Sequence, residues 1–199
     1  MKTLKLKIKS MNAPILMHDN KAANPMNEYA KAMKELTSKR GKTDENYADI
    51  ARIEWEAGLY LHDGVVSLPA RCLEKTFLLG ARKSKLGKQY ESGVFLESDW
   101  HPLAYAGTKI VADKTKALPN PSLDKFFIEH SDVQMVRVGT NQVPRCRPIF
   151  HDWSLECTLL FDPSIIQQAD LLRACQDAGR LVGLLEQRPR LGRFTVEVV

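Results

Sequence analysis

The sequence predicts an α+β fold, and three observations support this prediction. Three segments alternate apolar and polar residues as half-buried strands do, namely 3–9, 154–161 and 193–198. A segment over about 168–185 carries apolar residues at spacings of three and four, which predicts an amphipathic helix. The 199 residues are 44% hydrophobic and 27% charged, a composition typical of a globular domain.

The first half of the chain predicts one strand, three helices and a hairpin. After the strand over 3–9, a helix carries Tyr29, Met33 and Leu36 on one face and ends at Gly41. Thr43 is a suitable N-cap for a second helix, and Asp63-Gly64 between two apolar pairs predicts a tight hairpin turn. A third helix begins at Pro69, because proline suits the first helical turn, and ends in a basic run over 82–85.

The second half predicts three more strands and a helix before the closing strand. The strands are expected over 133–138, 145–150 and 154–161, and the weakly periodic stretch 87–125 is expected to be an insertion. The order of elements matches a ferredoxin-like (RRM-like) β-α-β-β-α-β core with inserted helices and hairpins. We therefore expect one domain over 1–199, with insertions at about 41–66 and 87–125.

Several classes of protein are disfavoured by the sequence. No apolar run approaches the ~20 residues that a membrane-spanning helix needs, and the N-terminus lacks the apolar core of a secretory signal, so we expect a cytoplasmic protein. The four cysteines form no CxxC pair, which favours buried core residues over a zinc site or disulfides. Motifs for nucleotide hydrolysis, serine hydrolysis and zinc proteolysis are missing from the sequence, and we expect no cofactor.

The positive charge is concentrated in blocks. The net charge is +5, residues 71–88 hold six Lys/Arg against one acid, and residues 173–193 hold five arginines against two acids. Such blocks are either solvated faces without a partner or patches that attract phosphate. The arginines of the C-terminal block favour a phosphate ligand, because the planar guanidinium group can donate hydrogen bonds to two phosphate oxygens at once.

The most informative motif lies near the C-terminus. Residues 179–183 read Gly-Arg-Leu-Val-Gly, and residues 188–194 read Arg-Pro-Arg-Leu-Gly-Arg-Phe. Glycines between a helix and a strand either let a phosphate or another chain approach the backbone, or serve as a helix cap and packing positions.

This Gly/Arg-rich loop before the last strand resembles the signature of the RAMP superfamily, the RNA-binding Cas5, Cas6 and Cas7 proteins of CRISPR systems. Residues 6–9 with 13–18, and residues 65–73, are similar to the first strand and to the strand–Pro–helix element of Cas7-like proteins. The chain also resembles small phage-encoded proteins with the same C-terminal pattern. The resemblance implies a protein that assembles along RNA, with basic residues against the RNA backbone.

Three His-Asp pairs raise the alternative of a nuclease. The pairs are His18-Asp19, His62-Asp63 and His151-Asp152, and each falls at a predicted turn or strand end. A divalent metal bound by such pairs could hydrolyse a phosphodiester, but turn chemistry explains them equally simply. The resemblance places His18 where some RAMP endoribonucleases carry a general acid/base, so His18 is a weak catalytic candidate.

The sequence thus predicts a non-enzymatic protein that binds single-stranded RNA or DNA, self-associates or joins a larger nucleoprotein complex, and has no membrane partner. The alternatives are a metal- or His-dependent nuclease of RAMP type and a phage structural or host-takeover protein that binds an acidic protein. Trp153 is the aromatic candidate for base stacking, against the alternative of a core residue. The candidate nucleic-acid-binding residues are Arg40, Lys42, Arg71, Arg82, Lys83, Lys85, Arg137, Arg145, Arg147, Trp153, Arg180, Arg188, Arg190 and Arg193.

Overall fold

The computed structural model describes residues 1–113 and 117–199 and has an α+β fold with several small antiparallel sheets. The strands are β1 (Lys2–Ser10), β2 (Ile15–Leu16), β3 (Leu61–His62), β4 (Val65–Pro69), β5 (Val94–Leu96), β6 (Trp100–Pro102), β7 (Ser131–Val138), β8 (Asn141–Phe150), β9 (Ser154–Phe161) and β10 (Phe194–Val198). The α-helices among the described residues are α1 (Glu28–Thr37), α2 (Asp44–Gly58), α3 (Ala70–Lys83), α4 (Gly87–Gly93), α5 (Asp124–Glu129) and α6 (Gln168–Asp177).

The chain forms two compact units. The first comprises Met1–Leu16, Ser67–Ala106 and Phe150–Val199, and the second comprises Met17–Val66 and Gly107–Ile149. The second unit begins before the expected insertion at 41–66. Of the expected insertion at 87–125, the first unit contains the part up to Ala106, and the second unit contains the rest and continues to Ile149. Residues 114–116 lie outside the described part of the chain. That the whole chain folds as one domain stays a prediction.

A four-stranded antiparallel sheet with the order β10-β1-β9-β5 organises the first unit. The central strand β1 pairs with β10 through Leu6 opposite Val198, and with β9 through Leu6 opposite Cys157. The strands predicted over 3–9, 154–161 and 193–198 are thus confirmed, and the structure places them in one sheet. The fourth strand, β5, lies within the stretch expected to be an insertion. Its three residues are too few to show alternation.

One face of this sheet is buried and the other is open. Leu4, Leu6 and Ile8 of β1 are at most 2% exposed, whereas the lysines between them remain accessible. Helices α3 and α6 belong to the buried side, where the ring of Phe77 lies edge-on to Phe194 of β10, with centroids 6.3 Å apart. The alternation of apolar and charged residues therefore decides which face of the sheet carries the core.

Helices α3 and α6 approach each other at a glycine. A Cβ placed on Gly80 would lie 2.3 Å from the carbonyl oxygen of Ala174 and 2.6 Å from the Cβ of Ala178. The contact atoms include rigid backbone, so a side chain there would force the helices apart.

We expect Gly80→Ala to lower the free energy of unfolding by about 1–3 kcal/mol, the usual cost of overpacking a core. Denaturant titration measures this. Gly87→Ala in α4 is the matched control, because its Cβ would meet only the flexible side chain of Arg82. Equal stability of the Gly80→Ala variant and the parent would contradict the close helix packing.

The last helix is shorter than predicted. α6 ends at Asp177, and residues Ala178–Val182 continue as a π-helical turn. A Cβ on Gly179 within this turn would lie 2.1 Å from the carbonyl oxygen of Phe194, so the turn brings the backbone against β10. Apolar periodicity continues through the wider turn, which is why the sequence pattern does not reveal its start.

The second unit is built on α2 and the β7–β8 hairpin. The Thr43 side chain forms the predicted cap of α2 by accepting a hydrogen bond from the backbone N–H of Asn46. Trp55 is 1% exposed and its indole N–H donates to the carbonyl of His130, 2.8 Å away. β7 pairs with β8 from Ser131 opposite Pro148 to Val138 opposite Asn141. The predicted β3–β4 hairpin also forms, with Asp63 and Gly64 in the left-handed region.

Glu56 is a buried carboxylate within this unit. Its residue is 2% exposed, its Oε1 accepts a hydrogen bond from the backbone N–H of Asn120 at 2.7 Å, and its Oε2 has no partner among the described residues. Burial raises the pKa of Glu56 to about 7, against the opposing effects of that hydrogen bond and of the Arg52 charge.

We expect Glu56→Gln to stabilise the protein more at pH ~8 than at pH ~5. The folded-state pKa is above the unfolded one, so ionisation costs stability progressively as the pH rises from about 4.5 to about 7. Glutamine removes this cost and keeps an acceptor for Asn120, so the gain should be about 2 kcal/mol larger at the higher pH. Denaturant titrations at both pH values measure it, with exposed Glu35→Gln as control; a gain independent of pH would refute the expectation.

Candidate nucleic-acid interface

The loop between the π-helical turn and β10 is closed by two glycines. Gly183 and Gly192 have φ of +80° and +69°, and the backbone N–H of Leu184 donates to the carbonyl of Gly192 at 2.8 Å. A Cβ on Gly192 would lie 2.0 Å from the Leu184 carbonyl oxygen. Both glycines therefore allow the two ends of the loop to pack closely against each other. This matches the expected alternative in which the glycines of the motif are packing positions.

The base of this loop is attached to the segment that follows β1. The backbone N–H of Gly192 donates to the carbonyl of Pro14 at 2.9 Å, and that of Glu186 donates to the carbonyl of Leu16 at 3.2 Å. The N–H of Met11 donates to the carbonyl of Arg193 at 2.9 Å. The loop is therefore fixed at both ends, and Arg188 and Arg190 are exposed on the part between them.

Arg188 lies beside the end of α3 in a shallow depression of about 270 Å³, which we call the loop groove. The groove combines two cationic side chains with four apolar ones and is lined by Leu79, Lys83, Leu181, Val182, Arg188 and Pro189. Leu181 is 46% exposed, so part of this apolar surface is open to solvent. The structure thus brings together two predicted residues, Lys83 and Arg188, that are far apart in the sequence.

The cations of the loop groove, and the two arginines that follow Arg188 on the same loop, have no counter-charge among the described residues. Within residues 1–113 and 117–199, the side chains of Lys83, Arg188, Arg190 and Arg193 form no hydrogen bond or ion pair, and all four are exposed. An anion that binds there displaces no internal salt bridge, so the whole interaction energy is available to the ligand.

Other predicted residues of the first unit lie outside the lining of the loop groove, and Arg82 and Arg180 each form an ion pair with a carboxylate. Arg82 forms an ion pair with Glu91 at 2.8 Å, and Arg180 forms one with Asp177 at 3.0 Å. Arg71 is exposed in the first turn of α3, and Lys85 is exposed just beyond its end.

Trp153 does not offer a stacking surface in the structure. The residue is 1% exposed, its ring lies edge-on to Phe194 with centroids 6.2 Å apart, and its indole N–H donates to the carbonyl of Ala13 at 2.9 Å. Its place in the candidate interface is therefore corrected to the alternative, a core residue. The nearby arginines in the sequence suggested an exposed ring, but Trp153 follows a tight turn at Asp152 that directs the chain inward.

A second cluster of predicted residues lies in the second unit. His18, Arg145 and Arg147 line a pocket of about 270 Å³ together with Asp19 and Glu54, and we call this the arginine pocket. The remaining lining residues are Ala22, Ala23 and Ala57.

Glu54 positions the arginine side of this pocket. One carboxylate oxygen accepts a hydrogen bond from Arg145 at 2.7 Å, and the other accepts one from the backbone N–H of Cys146 at 2.9 Å. The Glu54 side chain is 14% exposed and that of Arg145 is 44% exposed. Arg145 is thus held in place while its remaining N–H donors stay accessible to a ligand.

The last three predicted residues lie in the same unit outside this pocket. Arg40 is exposed and Lys42 half-buried in the connection between α1 and α2, and Arg137 is exposed near the end of β7, where its Nε donates to the carbonyl of Gly139 at 3.2 Å.

Two features of these sites could not be predicted from the sequence: the contact of Glu54 with Arg145, and the apolar residues that line the loop groove. Neither Glu54 nor the apolar residues of the loop groove carry a local signal, because their role depends on contacts between distant segments. Leu79 and Leu181, for example, come together only through the packing of α3 against the π-helical turn.

Comparisons add no relative: no known protein family and no curated protein matches the sequence. Among the described residues, no helix is both long and apolar enough to cross a bilayer, and no group of three or more His, Cys, Asp or Glu side chains is arranged to hold a metal ion.

Proposed function

We propose that this protein binds single-stranded nucleic acid without cleaving it, and that the loop groove is its main contact surface. The observation that carries the proposal is the pair of exposed, unpaired arginines, Arg188 and Arg190, on a loop fixed at both ends beside Lys83. A loop whose backbone is fixed at both ends loses little backbone entropy on binding, and each neutralised phosphate releases condensed counterions.

The apolar part of the groove favours a single strand over a duplex. Leu181 and Pro189 present apolar surface between the cations, and unpaired bases have exposed faces that such surface can cover. A duplex hides these faces within its stack. We therefore expect phosphates on the cations and base faces against the apolar residues.

We further propose that the first unit is a ferredoxin-like core related to the Cas7-like RAMP proteins. The sheet of this unit has the order β10-β1-β9-β5. If its strands are numbered one to four along the chain, this order is four-one-three-two. Helix α3 lies between the first and second of these strands in the sequence, and α6 lies between the third and fourth, as in a β-α-β-β-α-β unit. This order supports the proposal, as does the Gly/Arg-rich loop before the last strand. The biological setting would be a CRISPR-like or phage ribonucleoprotein in the cytoplasm.

We also propose that copies of the protein assemble along the bound strand. Val133 and Met135 on β7 are each 61% exposed and project from one face of the hairpin, which supports a contact with another copy. Analytical ultracentrifugation with and without a long single strand tests this; a protein that stays monomeric on the strand would refute assembly.

Binding is tested by fluorescence anisotropy with labelled single-stranded RNA, single-stranded DNA and a duplex of the same sequence. We expect the single strands to bind at least ten times more tightly than the duplex. Absence of binding to all three would overturn the proposal and favour the alternative of a phage protein that binds an acidic protein partner.

The arginine pocket favours a second candidate function, His-dependent RNA cleavage. Arg145 and Arg147 can hold a phosphate beside His18, which is exposed and can move a proton at the neighbouring 2′-hydroxyl. Under this alternative the protein would cleave RNA but not DNA of the same sequence, in the presence of EDTA, and His18→Ala would lose the activity. Intact RNA after prolonged incubation would exclude it, and cleavage that EDTA abolishes would favour the metal-dependent form.

A further inference from the structure

The first unit has a further cavity on the open side of its sheet, remote in sequence from the loop groove. It holds about 290 Å³, space for about ten water molecules, and we call it the sheet-face pocket. The residues that matter here are Lys5 of β1, Thr158 of β9, and Ser98, Trp100 and His101 around β6.

Trp100 is the distinctive member of this pocket. The sequence contains three tryptophans, of which Trp55 and Trp153 are each 1% exposed, whereas Trp100 is half-buried and lines the cavity. A partly exposed indole at the wall of a cavity is a suitable surface for stacking a planar heterocycle.

Lys5 supplies the charge beside this ring. It is exposed on β1 directly opposite Thr158 in the strand register, and its ammonium group forms no hydrogen bond or ion pair among the described residues. The next lysine on the same face, Lys7, is already engaged by Glu156 at 3.7 Å. Lys5 is therefore available for an anionic group of a ligand whose ring stacks on Trp100.

His101 is a buried histidine in the wall of the pocket. It is 97% buried, since 3% of the residue is exposed. Its Nδ1 lies 3.2 Å from the carbonyl oxygen of Glu156, and because that oxygen can only accept, Nδ1 carries the proton. Burial lowers the pKa of His101, which keeps the ring neutral and makes Nε2 an acceptor. Nε2 has no partner among the described residues and is itself buried, so the imidazole ring contributes to the wall of the pocket rather than to its open space.

We propose that the sheet-face pocket binds one nucleotide of the single strand, with its base on Trp100 and its phosphate on Lys5. The planar ring suits the base of a nucleotide, and the cation suits its phosphate. This inference rests on the proposed function and adds a base-stacking site to it, in place of the one expected at Trp153.

The test measures tryptophan fluorescence and anisotropy in the same titration with a short labelled oligoadenylate, and repeats the fluorescence measurement with adenosine monophosphate. We expect saturable quenching in the parent protein, because Trp100 alone of the three indoles can contact a base. Trp100→Phe should remove the quenching while the circular dichroism spectrum stays unchanged. Trp100→Ala, which removes the stacking ring, should weaken anisotropy-detected binding by about 5-fold or more, the lower end for one stacked base.

The charge is tested with a matched pair on one strand. Lys5→Ala should weaken the binding that causes quenching several-fold, whereas Lys2→Ala, which removes the same charge outside the pocket, should have little effect. An anisotropy change without quenching would overturn the site and leave strand binding intact. Neither signal with the oligonucleotide would overturn both proposals, and quenching by the mononucleotide without strand binding would support the site and refute the proposed function.

Discussion

The double variant Arg188→Ala/Arg190→Ala is expected to bind single strands at least ten-fold more weakly than the parent protein while melting at the same temperature. Both side chains are exposed and unpaired within the described residues, so their removal breaks no internal contact. Surface substitutions of this kind change stability by about 0.5 kcal/mol or less. The loss of two phosphate contacts should also lower the salt dependence of binding by between one and two units of logarithmic slope.

The control for this variant removes two charges from the same unit away from the groove. Lys75→Ala/Lys88→Ala is suitable, because both lysines are exposed on helices α3 and α4 and neither lines the loop groove. If the two double variants lose the same modest amount of affinity, only net charge matters. If the Arg188→Ala/Arg190→Ala variant binds single strands as tightly as the parent protein, the loop is only a solvated turn and has no role in binding.

Trp153→Ala is expected to lower the free energy of unfolding by about 3–5 kcal/mol, the largest stability effect that we predict. The substitution leaves a cavity beneath Phe194 where a fully buried ring was packed. It also removes the donor to the Ala13 carbonyl, and an unsatisfied buried acceptor adds to the cost. Denaturant unfolding at neutral pH measures the change.

Trp153→Phe separates packing from base contact. It keeps an apolar ring and loses the hydrogen bond to Ala13, so we expect a destabilisation of about 1–3 kcal/mol and single-strand affinity equal to that of the parent. Normal stability with weakened binding would contradict the core position and restore Trp153 to the interface. The contrast with Trp100→Ala, which should weaken binding, makes the two tryptophans a direct comparison.

The sequence predicts most of the regular elements of the first unit, because their signals are local. Alternation in β1, β9 and β10 reports which face each strand buries, and a buried face fixes the register of a strand. β5 is missed because its three residues show no period, although it completes the sheet. The end of α6 is misplaced because the apolar spacing continues through the π-helical turn.

The candidate sites are less predictable, because they depend on contacts between distant segments. Charge blocks correctly draw attention to exposed cations such as Arg188, but they do not reveal that Arg82 and Arg180 are paired with carboxylates. The sequence pattern around Trp153 and that around Trp100 do not distinguish a buried ring from a half-buried one. The difference arises from what packs against each ring, which only the folded chain determines.

Binding of single strands to basic residues is tested most directly by the salt dependence of the affinity of the parent protein. If Lys83, Arg188, Arg190 and Arg193 each neutralise a phosphate of a single strand, the plot of log Kd against log salt should have a slope of about 3, and Kd should rise about 50-fold between ~50 and ~200 mM salt. The same titration should give a slope of about half that for the Arg188→Ala/Arg190→Ala variant. A Kd that does not change over this range would contradict phosphate binding and, with it, the proposed function.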